Sequence, residues 1–357
     1  RFHLPSYLIL FPAYHEDTVI LNSVKAFLQQ DYPKELYQVV VISDHMQPET
    51  NEVLSELPIT LLQPTFEQSS KAKALQYAIH HYETSNLKPQ TSNYVVILDA
   101  DNVVAPNFLT ELSQIANSNQ AIQCHRTAKN ADNDIAVLDG LSEEINNSIF
   151  RKGHNRIGMS SALIGSGMCF NYDWFKSNVR KLDSVVEDRE LEALLMIQGI
   201  YIHYAEDIHV MDEKVNNSDN FQRQRLRWMT GQVQAFFRML PYIPKAIITG
   251  NINYIDKTIQ QALIPRSILL VLTPLLALFF TICNNLSLIT HHSSLLKWYI
   301  ILIGLVLALF IAIPKQLRTK AIIRRILVLP KLVRKMTINI LHIKPNKKEF
   351  IHTTHQQ

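Results

Sequence analysis

Short apolar runs alternate with polar stretches of helical period through the first two thirds of the chain. Residues 7–11 (YLILF) and 37–42 (YQVVVI) read as strands on either side of a helical stretch at 19–30, and that alternation predicts βαβ units. A shorter strand is expected at 59–62 (ITLL) and a helix at 70–82. Residues 94–102 (YVVILDADN) stay apolar and β-branched until two carboxylates close the run. That is the pattern of a strand buried in a parallel sheet with helices on both faces. Further strands are expected at 121–124 and 162–170, the second containing Gly165 and Gly167, and helices at 187–198 and 220–237. These elements make one α/β domain over residues 1–240.

Hydropathy changes near Pro265. Residues 267–283 (SILLVLTPLLALFFTIC) and 298–314 (WYIILIGLVLALFIAIP) carry no charge and have about the length a bilayer requires. They read as two transmembrane helices over 267–314, reached through an interfacial segment at 241–266; a pair of buried core helices is the other reading. Lys315, Arg318, Lys320, Arg324, Arg325, Lys331, Arg334 and Lys335 follow the second run, whereas residues 284–297 hold a single lysine. The positive-inside rule then puts both flanks of the pair in the cytoplasm. Within the basic tail at 315–357, residues 326–340 mix apolar and basic side chains, as expected of a segment lying on an anionic leaflet.

Composition narrows the classes. With 357 residues and 47% hydrophobic content the chain can bury a sizeable core, so disorder is not the expectation. A net charge of +4 is too small to argue for a nucleic-acid partner. Cys124, Cys169 and Cys283 are widely spaced and form no CxxC, which indicates neither a disulfide framework nor a zinc site. No signal-like segment follows Arg1, so the chain is expected to be either a mature cytosolic start or a fragment of something longer, with room for an N-terminal membrane helix in the missing part.

Polar residues gather where strands end. Ligands of open α/β sheets collect outside the carboxyl ends of strands, which sets Asp99 and Asp101 at the lip of a crevice. Two acids there suit Mg²⁺ or Mn²⁺ bridging to a substrate's phosphates, or else a solvated turn with helix-capping acids. The first strand runs into Pro12-Ala13-Tyr14-His15-Glu16-Asp17 and the second into Ser43-Asp44-His45. Glu187 and Asp188 open a helix, a place carboxylates also take because of the helix dipole. Gln224, Arg227 and Trp228 share a helical patch; the Arg227 fork suits a diphosphate, and Trp228 is either a face for a sugar ring or an interfacial anchor. Lys71 is either a charge for a nucleotide or an ordinary surface lysine.

In order, PAYHE at 12–16, Asp44, Lys71 in KAKALQYA, Asp99-Ala100-Asp101, GSGM at 165–168, Glu187-Asp188 and the Gln224/Arg227/Trp228 pattern span most of the chain. The series resembles the membrane-bound, processive family 2 glycosyltransferases, relatives of cellulose, chitin and hyaluronan synthases. The resemblance implies an α/β, GT-A-type, Rossmann-like nucleotide-sugar-binding domain followed by transmembrane helices. It implies an inverting, metal-dependent hexosyltransferase that uses a UDP-sugar and a glycan or lipid-linked acceptor. The setting would be the bilayer of a bacterial inner membrane, with the catalytic domain cytoplasmic. By the same resemblance Pro12, Ala13, Tyr14, Glu16 and Asp44 hold the nucleoside, Lys71 lies near it, Asp99 contacts the nucleotide and the metal, and Asp101 ligates the metal. Asp188 is then the general base with Glu187 supporting it, while Gln224, Arg227, Trp228, Thr353 and His355 serve the diphosphate and acceptor. His355 of FIHTTH stands where a gating-loop lysine is usual, and His15 where asparagine is. The alternatives are an inactive scaffold on the same fold, although every motif acid is present, and a sugar nucleotidyltransferase. The latter should carry a glycine- and arginine-rich phosphate loop, which PAYHED is not.

Overall fold

The computed structural model describes residues 4–84, 93–131, 133–184, 186–214, 218–286 and 292–320. Its strands are β1 (Tyr7–Tyr14), β2 (Tyr37–Asp44), β3 (Thr60–Leu62), β4 (Tyr94–Ile97), β5 (Val103–Val104), β6 (Ala121–Ala128), β7 (Met168–Asn171) and β8 (Ile202–Asp212). They form one sheet in the order β3-β2-β1-β4-β7-β6-β8-β5. Helices α1 (Ile20–Phe27), α2 (Pro48–Ser55), α3 (Lys71–Thr84), α4 (Phe108–Ala116), α5 (Asp134–Asn146), α6 (His154–Arg156), α7 (Tyr172–Val179) and α8 (Glu187–Ile197) connect the strands. After β8 the chain is helical: α9 (Ser218–Met239), α10 (Ile243–Ile248), α11 (Ile252–Ala262), α12 (Arg266–Asn285) and α13 (His292–Ala312).

Alternation along β1 decides the layers. Tyr7, Ile9 and Phe11 pack with Val39, Val41 and the apolar stripes of α1 (Ile20, Val24, Phe27) and α4 (Phe108, Leu109, Leu112). Leu8 and Leu10 face the other way onto Val40, Ile42 and α3, where Ala74 and Ala78 let the helix lie close. Burying such a side chain contributes about 1.5–3 kcal/mol, so both faces of the central strands hold the fold.

The sheet is mixed, where a parallel one was expected. β1 pairs in parallel with β2 and β4, but β7 runs antiparallel to both β4 and β6. Much of the strand expected at 162–170 is instead a loop, because Gly165 (φ 86°) and Gly167 (φ 63°) take the left-handed backbone that glycine tolerates. The chain therefore enters β7 from the edge where β4 ends, with Met168 opposite Ile97. β6 and β8 pair in parallel through a register shift at Cys124/His125, which bends this side of the sheet. Two-residue β5, one residue after Asp101, hooks antiparallel onto the end of β8, Val103 opposite Met211.

Of the two expected spans, one segment among the described residues, Ile268–Asn285, is long and apolar enough to cross a membrane, with a mean hydropathy of 2.0. Among the described side chains the apolar part of α13 is Leu296–Ala312. α12 and α13 pack on each other, with Phe280 stacked on Trp298 (5.8 Å) and the hydroxyls of Thr281 and Tyr299 2.9 Å apart. The tail beyond residue 320, with Thr353 and His355, lies outside the described residues.

Candidate active site

Register brings the strand ends together. Tyr14 lies opposite Asp44, and Leu10 opposite Ile97, so β1, β2 and β4 deliver Tyr14, Asp44 and Asp99 to one edge. The turns leaving β1 and β2 pass through His15 (φ 54°) and His45 (φ 55°), both left-handed. Asparagine and histidine are among the few non-glycine residues enriched there, which accounts for histidine standing where the resemblance expects asparagine. The His45 ring lies 2.6 Å from the Asp44 carboxylate.

The β5–β8 hook sets a third acid beside the first two. Asp99, Asp101 and Asp212 each offer a carboxylate oxygen, all within 4.8 Å of one another. Asp101 is 4% exposed, and its oxygens accept from the Glu213 N–H (2.9 Å) and the Asn102 amide (3.0 Å). Burial, then the charges of Asp212 and Asp99, push its carboxyl well above the usual range. Asp99 has Lys71 as counter-ion and Asp212 has Lys214 at 2.6 Å, whereas among the described residues no cation pairs with Asp101. An all-oxygen cluster short of positive charge fits a hard divalent cation.

Behind the acids, Arg126 and Lys214 share the buried carboxylate of Glu143 and both reach Asp212. Arg126 also donates to the Ile164 carbonyl (3.1 Å), and Gln123 to the carbonyls of Ser166 (2.9 Å) and Gly167 (3.3 Å). These bonds fix the glycine loop against β6. The loop in turn offers the Gly165 carbonyl to Lys71 at 2.6 Å. Burial alone would lower the Lys71 pKa, but Asp99 and Glu187, the latter 3.4 Å away, hold it above its ordinary value.

Glu187 and Asp188 begin α8, facing Gly165: a side-chain carbon there would stand 3.8 Å from Asp188 Oδ2 and 3.9 Å from Glu187 Oε1. Burial raises the Glu187 carboxyl to about 7, Lys71 opposing and Asp188 adding to the shift. α9 closes the site. Burial lowers the Arg227 pKa, opposed by Glu187, Asp99, Asp188 and Glu16, so its charge faces both acid groups. Trp228 lies under the Arg225 guanidinium at 4.7 Å, and Gln224 Oε1 is buried without a hydrogen-bond partner among the described residues.

Pro12, Ala13, Tyr14, Glu16, Asp44, Lys71, Asp99, Asp101, Glu187, Asp188, Gln224, Arg227 and Trp228 all line one cavity of about 890 Å³. Sequence reasoning missed Asp212, Arg126, Lys214 and Glu143. A signal for Asp212 existed: residues 202–213 end in two acids after a strand-like run, as residues 94–101 do.

The fold and site are those of a mixed α/β sheet that gathers acids at its strand ends, under a helix bearing arginine and tryptophan, where ligands of such sheets collect. The chain belongs to the glycosyltransferase like family 2, whose sequence model matches residues 5–231. A 106-residue stretch is 24% identical to the probable glycosyltransferase YdaM of Bacillus subtilis (strain 168), covering 28% of this chain and 23% of that relative. The match thus spans less than a quarter of the relative's length. Among solved structures, the mannosyltransferase PcManGT from Pyrobaculum calidifontis, in complex with GDP-Man and Mn²⁺, superposes with a TM-score of 0.51 at 15% identity. That alignment covers 96% of this chain and 89% of the other, and shows that the GT-A-like fold is shared. TarS 1–349 of S. aureus aligns at 12% identity and a TM-score of 0.45 over 94% of this chain and 88% of that one.

Proposed function

We propose that this chain is an inverting, metal-dependent glycosyltransferase that moves a sugar from a nucleoside diphosphate to an acceptor hydroxyl at a membrane surface. The observation that carries the reading is the meeting of Asp99, Asp101 and Asp212 with Glu187, Asp188 and Arg227 around one cavity. Pro12 to Tyr14, Glu16 and Asp44 take the nucleoside. Lys71 and Arg227 take the negative charge of the leaving diphosphate, and Gln224, with Trp228 beside it, holds sugar hydroxyls. The acceptor oxygen bonds to the anomeric carbon as the bond from that carbon to the diphosphate breaks. The diphosphate leaves with the electron pair, and the acceptor proton passes to Asp188. One base and no positioned nucleophile imply a single displacement with inversion. Bound by Asp101, Asp99 and Asp212, Mg²⁺ or Mn²⁺ would supply Lewis-acid charge to the diphosphate.

The donor base is assigned to uracil by resemblance, whereas PcManGT is in complex with GDP-Man. Incubation with a panel of UDP- and GDP-sugars, with either metal, tests both: nucleotide release with one sugar, abolished by chelator, is the expected result. Release from none, or release untouched by chelator, overturns the reading.

The membrane setting is part of the proposal, with residues 1–240 catalytic, 241–266 interfacial, 267–314 spanning the bilayer and 315–357 a cytoplasmic tail. Exposed Phe237, Tyr242, Ile247, Ile248, Ile252, Ile259 and Ile264 support it, since a soluble surface rarely gathers so much apolar area. α12 and α13 likewise expose Leu275, Phe279, Ile300, Ile303 and Phe310. Cysteines placed singly at Ser287 and Thr353, in a chain without its native cysteines, test the orientation. An impermeant thiol reagent applied to intact cells should label position 287, and labelling of 353 alone overturns it.

A further inference from the structure

The cavity does not end at the acids. Beyond Arg227 its wall turns apolar, formed by Leu138, Leu141 and Ile145 on α5 and by Leu269, Leu309 and Phe310 on α12 and α13. Where the polar and apolar parts meet stand Arg151, Arg225 and Arg266. Arg151 is 4% exposed; its Nη1 donates to Asn147 (2.8 Å) and its Nε has no partner among the described residues. It projects from a seven-residue π-helical stretch, Asn147–Gly153, a local distortion frequent at functional positions. Arg266 donates through Nη2 to the Ser142 carbonyl (2.9 Å) and hydroxyl (3.1 Å), while its buried Nη1 donates to nothing among the described residues. Arg225 pairs with Asp139, but neither Arg151 nor Arg266 forms an ion pair among the described residues. The charges of Arg225 and Arg151 both bear on Arg266.

Glu143 and Glu192 offset part of the burial of Arg151, yet three like charges gathered largely out of water remain costly unless an anion joins them. On the transferase reading the donor's diphosphate is assigned to Lys71, Arg227 and the cation that Asp99, Asp101 and Asp212 would hold. The anion here must therefore belong to another ligand, and the apolar wall running on from the arginines requires that ligand to carry a hydrocarbon chain.

We propose that the arginine-rimmed arm of the cavity binds a phosphate-bearing lipid, its phosphate held by Arg266, Arg151 and Arg225 and its chain lying between α5 and the α12–α13 pair. Resting on the transferase reading, this makes the acceptor an anionic lipid that enters from the membrane side. An acidic glycan would satisfy the arginines but leave the apolar wall without a partner.

The test uses the full chain in neutral detergent, with binding of hexadecyl phosphate, hexadecanol, inorganic phosphate and a uronate oligosaccharide measured beside binding of UDP and GDP. Hexadecyl phosphate should bind at least about tenfold more tightly than hexadecanol or inorganic phosphate, the worth of one charge-assisted hydrogen bond. Arg266→Gln should remove about that advantage and Arg266→Lys recover part of it, with nucleotide affinity as the measure of an intact fold. Leu309→Trp, which fills the apolar arm, should weaken hexadecyl phosphate and hexadecanol together and leave inorganic phosphate unchanged. Equal binding of the alcohol and the phosphate, tighter binding of the oligosaccharide, or no effect of Arg266→Gln overturns the proposal. A chain that binds the lipid phosphate but neither nucleotide supports the lipid site and refutes the transferase reading; the reverse result refutes the lipid site alone.

Discussion

Gly231 lies on α9 one turn beyond Arg227, against Val186, the residue before the Glu187-Asp188 pair. A methyl group at position 231 would stand 2.2 Å from Val186 Cγ1 and 2.9 Å from Cγ2. Carbon atoms rest at about 3.5–4.0 Å, so Gly231→Ala must separate α9 from the start of α8 by about 1.5 Å. Helix propensity favours the alanine by about 1 kcal/mol and overpacking costs about 1–3 kcal/mol, so the net loss of stability is about 0–2 kcal/mol. Turnover should suffer more, because displacing catalytic groups by about 1 Å can cost about a hundredfold in rate. The variant should thus melt within a few degrees of the parent and release nucleotide about a hundred times more slowly. Val186→Ala removes both γ carbons, so the double variant Gly231→Ala/Val186→Ala should regain most of the lost rate. The assay is nucleotide release at saturating donor, with thermal melting as control. A fully active Gly231→Ala, or a double variant no better than the single one, refutes the claim that this contact sets the distance between Arg227 and the acid pair.

Asp212→Asn should raise the Mn²⁺ concentration giving half-maximal turnover by about tenfold or more, since it weakens one of three carboxylates in the cluster; an unchanged metal titration excludes Asp212 from the site. Asp188→Asn should retain nucleotide affinity and lose transfer, because the amide keeps the shape but cannot take the proton; normal transfer, or nucleotide affinity lost in step with turnover, removes Asp188 as the base. Glu187 has a native pKa of about 7 against an ordinary 4.5, so the folded chain holds a proton that the unfolded chain gives up in between. Stability from this group therefore falls as pH rises through that window, and Glu187→Gln should flatten the fall in melting temperature between about pH 5 and 7, while an unchanged slope shows that Glu187 titrates normally.

The site residues that could be read in the sequence are those whose signal is local. A buried strand that stops at a carboxylate marks its own end, so Asp44, Asp99 and Asp101 were legible, as were Glu187 and Asp188 at a helix start. Asp212 joins Asp101 from far along the chain, through a two-residue strand whose antiparallel pairing has no periodicity to detect. The direction of β7 was illegible for a related reason. Its reversal depends on two left-handed glycines inside a run whose other residues suit a continuous strand. The arginines of the apolar arm come from a π-helical stretch, from α9 and from the start of α12, and only packing brings them to one rim.

α9 ties these parts into a single wall. Near its start it presents Gln224 and Arg227 to the cavity, one turn later Gly231 sits on Val186, and Gln232 donates to the carbonyls of Gln261 (3.1 Å) and Leu263 (2.8 Å). Arg238, in its last turn, reaches Asp183 at 2.6 Å and also Glu190, one turn into α8. Arg189, beside the acid pair, in turn bonds the Gln261 side chain. The acids of α8, the cations of α9 and the peptide leading to Pro265 thus share hydrogen bonds, and Arg266 follows at once with its bonds to Ser142 on α5. Tilting α12 would pull on Leu263 and Arg266 together, moving both the wall that carries Arg227 and the rim of the apolar arm. α12 is thus joined through Arg266 to the rim of the apolar arm and through Leu263 to the helix that carries Arg227.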